Sequence, residues 1–113
     1  MIIASGIALG LAACAGDPAP EAEMARADLA VSQAEDANAA THAPGPYALA
    51  QDKLARAHGA VADGDNLEAR RLAEQAAVDA QLAETQARSV VARQNAENLR
   101  ANIDTFREEL DPQ

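Results

Sequence analysis

The sequence predicts an all-α fold, an up-down-up antiparallel three-helix bundle with a long, overhanging C-terminal helix. Three observations predict it. Nearly half of the 113 residues are apolar, and the bulk of these are alanine, the best helix former, with one Phe, one Tyr and no Trp. Two punctuated stretches, "HAPGP" and "DGDN", divide the chain into three segments of helical periodicity. After the second there is no Gly or Pro until Pro112, so the last segment has nothing to stop it.

Residues 1–13, "MIIASGIALGLAA", carry no charged side chain and read as a signal peptide. About a dozen apolar residues fall short of the roughly 20 that a membrane-spanning helix needs. Leu11-Ala12-Ala13-Cys14 resembles a bacterial lipobox. The order has a chemical reason, since small residues give the peptidase access to the backbone ahead of the alkylated thiol. A diacylglyceryl group and an N-acyl chain are therefore expected on Cys14, and more than one chain makes attachment stable at about 0.8 kcal/mol per buried methylene. Ala15 stands where an inner-membrane retention signal of enteric bacteria would be Asp, which directs the expectation to the periplasmic face of the outer membrane. Residues 14–20 serve as the lipidated tether, semi-extended because of Pro18 and Pro20.

The helical domain covers residues 21–110, with helices at about 21–41, 46–63 and 66–110 and a tail at 111–113. In the first helix Ala27, Ala30, Ala34, Ala37 and Thr41 repeat at spacings of three and four, flanked by Leu29 and Val31. The second begins near Pro46, a good first-turn residue, and aligns Tyr47, Ala50, Leu54, Ala57 and Val61. Asp65 or Asn66 can cap the third. At 1.5 Å per residue the three span about 31, 25 and 66 Å, so the third overhangs its partners.

Its apolar stripe changes character along its length. Ala69, Ala73, Ala76, Ala80, Ala83, Ala87 and Val90 alternate at spacings of four and three, as in a close antiparallel helix pair. Beyond Val90 the residues are Ala92, Ala96, Leu99, Ile103, Phe106 and Leu110, at the same spacings but on a rotated phase. No chain remains to cover them, and Leu99, Ile103, Phe106 and Leu110 are the expected contacts with an envelope protein or a second copy.

The stretches "AEMARADLAVSQAEDANAA", "HAPGPYALAQDKLARAHGAVADGDNLEARRLAEQAAVDAQLAE" and "LRANIDTFREEL" together resemble a family of short bacterial envelope lipoproteins built on an alanine-rich domain of unknown function, sometimes followed by an OmpA-like peptidoglycan-binding domain. The resemblance covers about residues 22–110. It rests on Ala43, Pro44 and Tyr47 in the first turn, "DKLARA", Gly64-Asp65-Asn66, and Ala69, Leu72, Ala73 and Ala76. It implies a fold and a compartment and supplies no catalytic residues. These residues include no OmpA-like domain, so the resemblance does not imply direct peptidoglycan binding. Covalent attachment to peptidoglycan through a C-terminal Lys is not expected of a sequence closing Asp-Pro-Gln.

Little else in the sequence carries chemistry. A net charge of -9 argues against nucleic acid as a partner. His42 and His58 lack metal-ligand spacing and are expected in solvated or capping roles. Ser5, Ser32 and Ser89 belong to no triad motif, and "DGDN" lacks the ligand spacing of a calcium loop. Arg70 is placed to pair with Glu74 on an exposed face. No cofactor, metal site or enzymatic activity is expected. The sequence thus predicts a membrane-anchored structural or protein-interaction module of the periplasm. The alternative is a periplasmic adaptor or chaperone-like module that holds a peptide or small apolar ligand in a cavity lined by Leu29, Tyr47, Leu54 and Leu72.

Overall fold

The computed structural model describes residues 16–111. They form an all-α fold in which helices α1 (Glu21–Asp36), α2 (Ala39–His42) and α3 (Pro44–Ala62) pack against one long helix, α4 (Asn66–Leu110). At 1.5 Å per residue α4 is about 67 Å long. Both α1 and α3 lie mainly on α4 and touch each other less, so α4 is the spine of the molecule.

The core is built from alanine. Among the described residues, fourteen of the seventeen buried hydrophobic ones are Ala, and the others are Met24, Tyr47 and Leu72. A small side chain buries little area, so each such contact contributes less than a Leu or Phe contact, which is worth roughly 1.5 to 3 kcal/mol. What alanine provides instead is helix propensity and close approach of the backbones. Buried Ala27, Ala30 and Ala34 on α1 and Ala50 and Ala57 on α3 face the alanine seam of α4.

The first helix is shorter than its periodicity suggests. The expected helix over 21–41 stops at Asp36, because Asn38 takes a left-handed conformation with φ of 57°. Asn tolerates that region better than most residues, and its N–H donates to the Glu35 carbonyl at 2.8 Å, closing the helix end. A single turn, α2, follows. The break resets the phase, so Ala39 and Ala43 are buried where Thr41 was expected, and Thr41 is exposed.

The second expected helix also shifts. Its observed counterpart, α3, begins at Pro44 rather than Pro46, since both prolines fall in a first turn whose N–H groups have no helical acceptor. It ends in a Schellman arrangement, with Asp65 N–H on the Ala60 carbonyl at 2.9 Å and Gly64 N–H on Val61 at 3.1 Å. Gly64 has φ of +79°, a conformation that a Cβ would strain. Val61, expected on the buried face, is 37 % exposed in the last turn. Asp65 caps α4 by accepting from the Glu68 N–H at 3.2 Å.

The segment ahead of α1 is held at one end of the spine. Asn66 Nδ2 donates to the Asp17 carbonyl at 2.7 Å, Arg70 Nη2 reaches the Pro18 carbonyl at 3.5 Å, and Pro20 is fully buried. Among the described residues two ion pairs and one hydrogen bond tie the helices together: Lys53 to Asp79 at 2.6 Å, Arg70 to Glu23 at 3.5 Å, and His58 Nε2 with Asp28 Oδ1 at 3.1 Å. The Arg70 pairing replaces the one expected with Glu74. Arg70 Nε is buried and lacks an aligned hydrogen bond, so its contact with Glu23 is one of charge proximity.

Candidate interaction surface

The cover that α1, α2 and α3 give to α4 ends within one turn. Ala87 is fully buried, Val90 and Val91 are half-buried, and every residue from Ala92 to Asp111 is exposed. The helix itself continues unbroken to Leu110, and Asp111 N–H closes it on the Arg107 carbonyl at 3.1 Å. Nineteen residues, 92–110, thus project beyond the bundle.

Leu99, Ile103, Phe106 and Leu110 share one face of this projection. They are 60, 41, 60 and 82 % exposed, which makes them some of the largest apolar groups in solvent. Cys14, the expected lipid attachment point, lies outside the described residues. Tyr47, in contrast, is a packing residue: it is buried, and its hydroxyl accepts from Gln51 Nε2 at 3.1 Å. Burial pushes the Tyr47 phenol up, and the charge of Glu35 adds to that effect.

Periodicity alone missed part of the exposed face. Extending the four-and-three spacing backward from Leu99 passes through Ala96, Ala92, Ser89 and Thr85 to Leu82 and Val78. Val78 is 64 % and Leu82 48 % exposed, so both point away from the bundle although α1 and α3 lie alongside them. At about 100° per residue, this line sits roughly 160° around the helix from Ala76, Ala80 and Ala83. Helix α4 therefore carries two seams. One is alanine and holds the bundle; the other runs from Val78 to Leu110 and faces outward. The sequence contained this signal, but the polar Thr85 and Ser89 interrupt it where the richer alanine pattern draws the eye.

No apolar chamber joins the four residues expected to line one. Leu29 is 59 % exposed, Leu54 is half-buried, and Tyr47 and Leu72 are packed into the core. One open cleft of about 410 Å³ lies in the notch where α4 leaves the bundle, bordered by Asp36, Asn38, Arg88, Val91, Ala92 and Asn95. The two histidines do not meet: His58 pairs with Asp28, and His42 borders a shallow depression beside Ser89 and Arg93. Among the described residues there is no cluster of three His, Cys, Asp or Glu that could hold a metal ion, and no helix long and apolar enough to cross a membrane.

A family defined as a domain of unknown function, DUF4398, matches residues 22–99, well over half of the chain and spanning the whole bundle. The chain belongs to this DUF4398 family. No curated protein and no solved structure matches it. In structural terms the family match takes in the alanine seam, the Asn38 break and the Gly64 turn, and it ends at Leu99 on the projecting part of α4.

Proposed function

We propose that the protein is a lipid-anchored lipoprotein of the bacterial cell envelope, attached through Cys14 to the periplasmic face of the outer membrane, and that its helical domain is a non-catalytic structural or protein-interaction arm. The observation that carries this reading is the polarity of α4. Asp17 and Pro18 are bonded to Asn66 and Arg70 at its start, whereas the uncovered Leu99, Ile103, Phe106 and Leu110 stand at its finish. An anchor three residues before Asp17 then leaves the exposed apolar face about 50 to 66 Å along the helix from the end that holds Asp17. The lipobox-like Leu11-Ala12-Ala13-Cys14 supports the anchor, and the acidic body, with a net charge of -9, offers no attraction of its own to an anionic lipid surface.

The test is Cys14→Ser with metabolic labelling by a fatty-acid analogue. The native protein is expected in the membrane fraction carrying label, and the variant in the soluble fraction without it. Membrane retention of the unlabelled variant overturns the anchor. Ligand holding has less support, because Leu29 stands in solvent instead of completing a chamber.

A further inference from the structure

The geometry points to the occupant of the outward seam of α4: an amphipathic helix of another protein, whose apolar stripe is flanked by carboxylates at seven-residue spacing. This inference rests on the interaction-arm reading and adds the chemistry of the partner. In heptad terms Val78, Leu82, Thr85, Ser89, Ala92, Ala96, Leu99, Ile103, Phe106 and Leu110 occupy successive core positions. The residue that follows the first core position of each pair stands on one flank, where a partner helix meets it. On the projecting part those residues are Arg93, Arg100 and Arg107, spaced by seven and all exposed. A strongly acidic chain thus presents three of its nine basic residues in one row along an uncovered apolar face.

Five of the other six basic residues, Lys53, Arg56, Arg70, Arg71 and Arg88, each have a carboxylate partner within the bundle-covered part of the chain, and Arg26 on α1 has no ion pair among the described residues. Arg93 and Arg100 have no ion pair among the described residues, and Arg107 has only a loose contact of 3.8 Å with Asp104, both side chains more than 70 % exposed. Glu97 and Asp104 lie one position farther round the helix than the arginine row, away from the seam, so the edge that a partner touches is basic.

A second copy of this chain does not match that edge. In an antiparallel pair the arginine row lies against itself. In a parallel pair Arg93 meets Arg88, while Arg100 and Arg107 meet Asn95 and Asn102, and no arginine gains a carboxylate. Like charges across a helix pair are destabilising, and flanking charges select the partner. A helix bearing Glu or Asp on both flanks satisfies the row in either orientation.

The experiment uses the full protein and two five-heptad peptides with Ile and Leu at the core positions, one with Glu on both flanks and one with Lys. Binding is measured by fluorescence anisotropy at about 50 and 500 mM salt, a range that changes screening strongly. The Glu peptide is expected to bind at least ten times more tightly than the Lys peptide, with the ratio shrinking in high salt. Arg93→Glu with Arg100→Glu and Arg107→Glu should invert the preference, and Ile103→Lys with Phe106→Lys should remove binding of both peptides. Preference for Lys, or equal binding of the two peptides that is lost in the Ile103→Lys, Phe106→Lys variant, overturns the acidic partner while leaving the apolar arm in place. Binding of neither peptide overturns both readings. Dimers of the native protein at micromolar concentration, detected by sedimentation and lost with Ile103→Lys, assign the seam to a second copy, and Arg-dependent binding to phosphatidylglycerol vesicles assigns it to a membrane; each overturns the proposal.

Discussion

The two ends of α4 invert the usual relation between residue size and burial. Over residues 69–87 the helix buries alanine almost exclusively, joined by Leu72, whereas over 92–110 it exposes Leu99, Ile103, Phe106 and Leu110. Hydrophobicity alone would put the larger residues inside. What decides is the presence of a facing helix at the right separation. Close-packed helices have room for a methyl and no more, and the larger side chains occupy the surface where none of the other described helices is near. The contrast teaches that in this fold apolar side chains occupy two environments on one helix, a close-packed seam at the covered end and open surface at the free one.

The largest way to break that contrast is to put a large side chain into the small-residue seam. Ala76 is fully buried, so Ala76→Leu should cost about 1–3 kcal/mol by overpacking, which lowers the melting temperature by about 4–8 °C per kcal/mol for a domain of this size. The exposed Gln81→Leu should shift melting far less, within about 0.5 kcal/mol. Equal losses in circular dichroism melts would mean that the seam lies on another face.

Next in size are changes to what holds the covered end. Gly64→Ala forces a Cβ into a left-handed position and should cost about 1–2 kcal/mol. Lys53→Met leaves half-buried Asp79 without its partner and should cost about 1–3 kcal/mol, between the values for exposed and buried pairs. Urea melts of both variants check these losses, and a melt of Lys53→Met matching that of the native protein would show the pair to contribute nothing.

Alkaline pH gives a smaller effect of known sign. The Tyr47 phenol is raised in the folded state, mainly by burial. The unfolded chain ionises near pH 10, so the stability gained by keeping Tyr47 neutral is complete below about pH 10 and is lost as pH rises through the higher folded value. Tyr47→Phe should therefore flatten the fall in melting temperature above about pH 10, and an unchanged slope would remove Tyr47 from that role.

The smallest expected change in stability is at the free end. Ile103→Lys with Phe106→Lys touches nothing in the bundle and should shift the melt by less than about 0.5 kcal/mol, yet abolish crosslinking through residues 92–110. Crosslinks that survive, or a bundle that unfolds, would erase the division between the two ends.

Legibility in the sequence followed the length scale of each signal. The spacing of Ala69 to Ala87, the cap at Asp65 and the overhang could all be read, because each depends on neighbours within one or two turns of the same helix. The break at Asn38 escaped notice because the alanine spacing runs through it and Asn stops a helix only when it takes the left-handed conformation. Val78 and Leu82 escaped for a different reason: two apolar faces on one helix compete in any periodicity, and only burial separates them.

By itself the sequence determined that the chain is helical, where most of its helices stop, and that the third would outrun the others, since alanine propensity, Pro and Gly act on the local backbone. Only the tertiary structure decided which side of α4 is inside, that Asp17 and Pro18 are fastened to its start, and that Arg93 and Arg100 stand beside an open seam without a carboxylate partner among the described residues. Those outcomes depend on how α1 and α3 approach α4 in space, and contacts between residues as far apart as Asp17 and Asn66 are fixed by packing that no local pattern encodes.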